Sequence, residues 1–169
     1  MPAVPASEIL AVLLTLPQYR GDAHADPTVE DRARLLRPVA VAIADVSRNA
    51  TEAAALVALG YHETAYARFV LDGVCYQGPV GARCDGGKAR GAWQVWNWCR
   101  PLWAAPENAP GRHLAGARCA ISLLRRGRQQ CGTLAGAFGV YAGKGCEWKG
   151  GPGRVRTTNL MEGRLRGRR

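Results

Sequence analysis

The chain lacks any apolar run near the roughly 20 residues that a membrane-spanning helix needs. The longest, Ile9 to Leu16, falls well short, and no membrane span is expected. That run follows Glu8 rather than a basic stretch, and Pro17-Gln18 does not resemble a small-residue cleavage site. It reads as a short packed helix, not a signal peptide. No Cys-x-x-Cys pair is present, which argues against a zinc ribbon or a thioredoxin-like site. His24, His62 and His113 lack the spacing of a metal-ligand set; they read as structural, and no metal or cofactor is expected. No internal repeat is visible. Acidic residues are few beside basic ones, 13 against 23, and arginine greatly outnumbers lysine.

The resulting net charge of +10 calls for an anionic partner such as nucleic acid, an anionic membrane or a bacterial envelope. With 169 residues and 47% apolar content, one domain with tails is expected, large enough to bury roughly 70% of its unfolded surface. The six cysteines are even in number and scattered in spacing, which suggests disulfides and an oxidising, extracytoplasmic location. The route of export stays open.

In chain order, residues 1–26 hold a short helix from Ser7 to Leu16 and a Pro/Gly/Asp-rich connection. Asp26-Pro27-Thr28 starts a second helix, with Thr28 and Asp31 as a capping box. Pro38 falls inside that helix and predicts a kink or a break. Asn49-Ala50-Thr51 caps the next, Ala-rich helix. A Gly-rich stretch from Gly73 to Gly91 follows, in which Cys75 and Cys84 bracket a segment suited to a turn or small hairpin. Residues 91–103 hold four of the five tryptophans. A helix is expected from about Pro110 to Arg126, and a last, small-residue one from Cys131 to Gly143 or Gly145. Cys75–Cys84 is the first choice of disulfide; Cys131 and Cys146 flank the last helix, and Cys99 and Cys119 remain, although six cysteines allow 15 pairings. Residues 149–169 read as a poorly ordered basic tail.

Glu63 organises the candidate chemistry. In a helix starting at Thr51, Leu56, Leu59, Gly60 and Glu63 fall on one side, so a carboxylate sits on the apolar stripe, with Gly60 a candidate helix end. Burial and the negative end of the helix dipole both disfavour the charged form, which suits a general acid. The plain alternative is a solvated glutamate at a helix end. Trp93, Trp96, Trp98 and Trp103 are either core residues or faces for stacking on sugar rings, with at least one expected in a groove.

Three stretches then stand in order: His62-Glu63-Thr64, Gly91-Ala92-Trp93-Gln94 and Gly139-Val140-Tyr141-Ala142-Gly143-Lys144-Gly145. Their order and type resemble the lysozyme-like superfamily, especially the soluble lytic transglycosylase, or goose-type lysozyme, branch. That branch has a Glu-Ser pair at a helix end, a Gly-x-x-Gln segment and an Ala-Tyr-Asn-x-Gly-like segment in a late helix. The stretch from Gly91 to Cys99 is also similar to the Gly-Ile-Leu-Gln stretch of animal lysozymes. Thr64 stands where Ser is usual and Ala142 where Asn is frequent, and no carboxylate precedes Gly91 where animal lysozymes carry their second one. The likeness covers roughly residues 50–148.

The resemblance implies a mainly α, α+β lysozyme-like fold with a small β-hairpin region, its catalytic domain spanning 27–148. It implies an enzyme that cleaves the β-1,4 bond between N-acetylmuramic acid and N-acetylglucosamine in peptidoglycan. Glu63 would be the catalytic acid and then base, with Thr64, Trp93, Gln94 and Tyr141 binding substrate. A glycosidase normally needs two carboxylates; with one, the lytic transglycosylase route is favoured, because the sugar's own 6-hydroxyl is the nucleophile. Asp72 and Asp85 are the candidate second carboxylates for a hydrolytic muramidase. A different class of reading is a non-catalytic basic module that binds cell wall or nucleic acid. The expected partners are peptidoglycan strands and anionic envelope polymers, without nucleic acid, acting on a monomer.

Overall fold

The computed structural model describes residues 4–18, 28–73, 88–104 and 111–167. Among them are eight helices: α1 (Ala6–Leu14), α2 (Val29–Val46), α3 (Ala50–Thr64), α4 (Arg68–Leu71), α5 (Arg100–Ala104), α6 (Arg112–Cys131), α7 (Leu134–Tyr141) and α8 (Gly151–Leu165). The β pairing among the described residues is one antiparallel bridge, Arg90 with Val95. The fold is mainly helical. The stretch 74–87, with Cys75, Cys84, Asp85 and the expected hairpin, lies outside the described residues, as does His24.

Helix α3 runs through the centre. Every residue from Ala53 to Gly60 is buried, as expected of a helix that is apolar on all sides. Its small alanines let α2, α6 and α8 close around it. Asn49 caps its start by accepting from the Glu52 amide at 3.0 Å, and Glu52 accepts from the Arg48 amide at 2.8 Å, a reciprocal arrangement that satisfies two helix-end donors. Glu52 also takes Arg125 of α6 at 2.7 Å. Burial pushes the Glu52 carboxyl up, but the hydrogen bonds from Arg125 and Arg48 outweigh it and hold the group below its usual range.

Gly60 does not end α3. The helix continues to Thr64 and stops where Ala65 and Tyr66 turn left-handed, φ 47° and 53°. Gly60 serves a contact instead: a Cβ there would overlap the phenol of Tyr66, which is fully buried and donates to the Val57 carbonyl at 3.0 Å. Buried Arg32 donates to the Tyr66 carbonyl at 2.8 Å, satisfying one acceptor beyond the helix end.

Pro38 does not break α2, which is one helix from Val29 to Val46. Pro38 is exposed, on the solvent side of the helix, where a missing backbone hydrogen bond is most readily tolerated. At the start of α2, Thr28 accepts from the Asp31 amide at 3.1 Å.

Disulfides join Cys99 to Cys119 and Cys131 to Cys146, and the second brackets α7. They point to an oxidising, extracytoplasmic environment. Among the described residues no helix is long and apolar enough to cross a membrane.

The largest correction falls on the expected basic tail. Gly151 to Leu165 form α8, which packs on α3, α7 and α1. Gly151, Thr158, Met161 and Leu165 are its buried face, spaced as helix periodicity requires. Gly151 permits the approach, since a Cβ there would meet the Ala135 carbonyl of α7 at 2.5 Å. Thr51 of α3 donates to Glu162 of α8 at 2.8 Å.

Candidate active site

The last turn of α3, the turn after Arg90, the end of α7 and the start of α8 meet around an open cleft of about 710 Å³. Glu63, Gln94, Tyr141 and Arg154 provide its polar lining, and Trp96, Trp98 and Trp148 its aromatic lining. The three residues taken from three separate stretches of sequence thus line one cleft. Glu63 is the single carboxylate among the described residues lining the cleft.

Gln94 is set by backbone geometry. The bridge between Arg90 and Val95 closes with two hydrogen bonds of 3.0 Å, and Gly91 to Gln94 make the turn. Gly91 takes φ +68°, where glycine is at ease, but Gln94 takes φ 47°, a conformation that costs a non-glycine residue about 1 kcal/mol or more. Its side chain donates to the Gly91 carbonyl at 3.1 Å, bracing the turn.

Trp93, expected at the substrate, is a core residue. It is 1% exposed, and its indole donates to the Leu56 carbonyl in α3 at 3.0 Å. Its main chain matters to the cleft: Tyr141 donates from its hydroxyl to the Trp93 carbonyl at 2.5 Å. Burial, reinforced by the Glu63 charge and opposed by Arg154, pushes the Tyr141 phenol well above its usual range, so it stays a donor. Trp96 and Trp98, 47% and 48% exposed, present the aromatic faces. Trp103 is half-buried under the Arg90 guanidinium, 4.0 Å from its ring.

Thr64 also serves structure. Its hydroxyl lies 3.0 Å from the carbonyls of Gly60 and Ala92 and accepts from the Tyr66 amide at 3.2 Å. It ties the end of α3 to the Gln94 turn and does not line the cleft. Asp72 is no partner for Glu63 either. It caps α4, pairs with Arg68 at 3.6 Å and does not line the cleft. The left-handed residues Ala65 and Tyr66 redirect the chain before Asp72 is reached.

Arg154 and Trp148 went unread in the sequence. Arg154, in the first turn of α8, donates to Glu63 at 2.5 Å; the two side chains are 12% and 21% exposed. Its guanidinium stands 5.0 Å over the Trp148 ring, a cation–π contact. The signal for α8 was Pro152 at a first-turn position after Gly150-Gly151, hidden by the Arg- and Gly-rich composition. His62 faces away to Thr157 at 2.9 Å, and burial with the Arg154 charge lowers its pKa.

The loop after α7, which lines the cleft through Ala142 and Gly143, packs against Gly139. A Cβ at Gly139 would overlap the Gly145 carbonyl, so this glycine lets the 143–145 loop lie against α7. Trp98 and Leu123 also wall a second hollow of about 500 Å³ along α6. Among the described residues no cluster of three or more His, Cys, Asp or Glu is placed to hold a metal ion. No family model, no curated protein and no solved structure matches the chain, and the chemistry of the cleft is read from its residues.

Proposed function

We propose that the protein cleaves peptidoglycan glycan strands as a lytic transglycosylase of lysozyme-like type, acting outside the cytoplasm. The observation that carries this reading is Glu63, the one carboxylate among the described residues of an open groove, beside Gln94, Tyr141 and two exposed tryptophans. An open groove fits a polymer, and exposed indole faces suit the apolar faces of sugar rings.

In this reading the Glu63 carboxyl gives its proton to the glycosidic oxygen between N-acetylmuramic acid and N-acetylglucosamine as the bond from C1 to that oxygen breaks. The Glu63 carboxylate then removes the proton from the 6-hydroxyl of the same muramic residue while that oxygen bonds to C1. The proton returns to Glu63, a 1,6-anhydro ring forms, and no water is consumed. One group serves as acid and then base, so the two-carboxylate requirement of a hydrolase does not apply. Gln94 contacts the sugar, and Tyr141 fixes the turn that carries Gln94.

The ion pair between Glu63 and Arg154 favours a second reading, a basic cleft that binds an anionic wall polymer without cutting it. Release of soluble fragments from purified peptidoglycan separates the two. The enzyme reading expects release by wild type and a loss of at least about a hundredfold in Glu63→Gln; equal release by both, or none by either, removes it.

A further inference from the structure

Among the described residues, the cleft is lined by one cation, Arg154, whose position the transglycosylase chemistry does not require. Arg154 sits at the start of α8, its side chain largely buried and its guanidinium over Trp148, with Glu63 at 2.5 Å. The Trp148 ring and the docked helix hold the guanidinium in the cleft beside Glu63. A guanidinium presents its N–H donors in a planar fork that can hold one carboxylate bidentately. Glu63 takes a donor of Nη1. A carboxylate that must protonate a leaving oxygen has to give up such a pairing and carry a proton.

Resting on the transglycosylase reading, we propose that Arg154 donates to the free lactyl carboxylate of a muramic residue beside the scissile bond, one stripped of its stem peptide, and that this carboxylate displaces Glu63 from the guanidinium. The cleft then distinguishes an acidic sugar strand from a neutral one. In the free protein Arg154 holds Glu63 in place and its positive charge is matched. When an acidic strand enters, two carboxylates compete for one guanidinium; like charges at that distance repel, and a proton on one of them relieves the repulsion. Glu63 is the one that must carry it. Arg154 is thus a specificity and positioning residue, and a neutral strand that stacks equally well on Trp96 and Trp98 leaves Glu63 paired.

The test uses binding in the Glu63→Gln background, where nothing is cleaved and the competing anion is gone. The probes are a neutral N-acetylglucosamine tetramer and an alternating N-acetylglucosamine–N-acetylmuramic acid tetramer with free lactyl carboxylates, titrated by calorimetry. Glu63→Gln is expected to bind the acidic tetramer at least about tenfold more tightly than the neutral one. The double variant Glu63→Gln/Arg154→Gln is expected to bind both alike, with Glu63→Gln/Arg154→Lys between them. Circular dichroism of each variant checks that α8 remains folded, and affinity for the neutral tetramer, unchanged across the set, checks that the groove survives. Equal affinity of Glu63→Gln for the two tetramers, or a preference that persists without Arg154, overturns the proposal while leaving the peptidoglycan reading in place. Failure of either tetramer to bind any variant overturns both.

Discussion

The hydroxyl of Tyr141, at the end of α7, donates to the main-chain carbonyl of Trp93, and this one bond ties the Gln94 turn to the end of α7. The phenol keeps its proton well into the alkaline range, since burial and the Glu63 charge both oppose its ionisation. Tyr141→Phe is therefore expected to fold, to lose about 1 kcal/mol of stability from the missing hydrogen bond, and to release peptidoglycan fragments at least about tenfold more slowly. Thermal unfolding and fragment release, measured side by side, check both parts; full activity in Tyr141→Phe would show that the tie is dispensable.

The tryptophans divide by environment. Trp93→Phe keeps most of the buried ring but loses the bond to Leu56, so it is expected to lower stability by about 1–2 kcal/mol and leave affinity for a neutral N-acetylglucosamine tetramer unchanged. Trp98→Ala, at an exposed indole, is expected to leave the melting temperature nearly unchanged and to weaken that affinity about five- to thirtyfold, the equivalent of about 1–2 kcal/mol. Calorimetric titration of both variants checks the division, and a reversed pattern would contradict it.

Much of this site was legible in the sequence. Glu63 was marked by helical spacing, which survives folding because a helix end presents its residues by backbone geometry, whereas Gln94 and Tyr141 were marked only by the resemblance; all three line the cleft. Which tryptophan faced the groove was not legible. That depends on the left-handed Gln94, which sets the turn so that Trp93 points to the core and Trp96 and Trp98 point out. Thr64 carried the right motif position, but its hydroxyl is held by Gly60 and Ala92, partners visible only in three dimensions. Arg154 lies 91 positions from Glu63, on a helix whose Gly, Pro, Thr and Asn residues argue against helix by propensity. Packing against α3 makes α8 a helix, and packing is what a single sequence shows least.

Gly139 makes a sharper case about the cleft wall. Any side chain there collides with the Gly145 main chain, which cannot swing aside as a flexible side chain would. Gly139→Ala is expected to push the 143–145 loop off α7, costing about 1–3 kcal/mol and most of the activity. Gly143→Ala, whose Cβ would meet nothing within 4 Å but whose φ is +67°, is expected to cost about 1 kcal/mol through backbone strain alone. Urea unfolding midpoints of the two variants check the order.

Stability is expected to fall with acid in two steps. Burial and the neighbouring Arg112 charge lower His113 from 6.5 to about 4, and His62 is lowered as well. Between those values the unfolded chain binds a proton that the folded chain refuses. Stability is therefore complete above about pH 6.5 and declines as pH falls toward 4, by on the order of 2 kcal/mol for half-buried His113. Glu52, held below the usual carboxylate range by Arg125 and Arg48, adds a second loss as pH falls through and below that range. Urea midpoints between pH 7.5 and 3.5 check this, and His113→Gln is expected to flatten the first step but not the second.

The most direct test of Glu63 as acid and then base is the mass of the fragments released from peptidoglycan in water enriched in oxygen-18. Transglycosylation requires fragments ending in 1,6-anhydromuramic acid, one water lighter than hydrolytic products and free of the label, and their disappearance in Glu63→Gln. Fragments carrying oxygen-18 at the reducing end would contradict it and assign hydrolysis to the cleft instead.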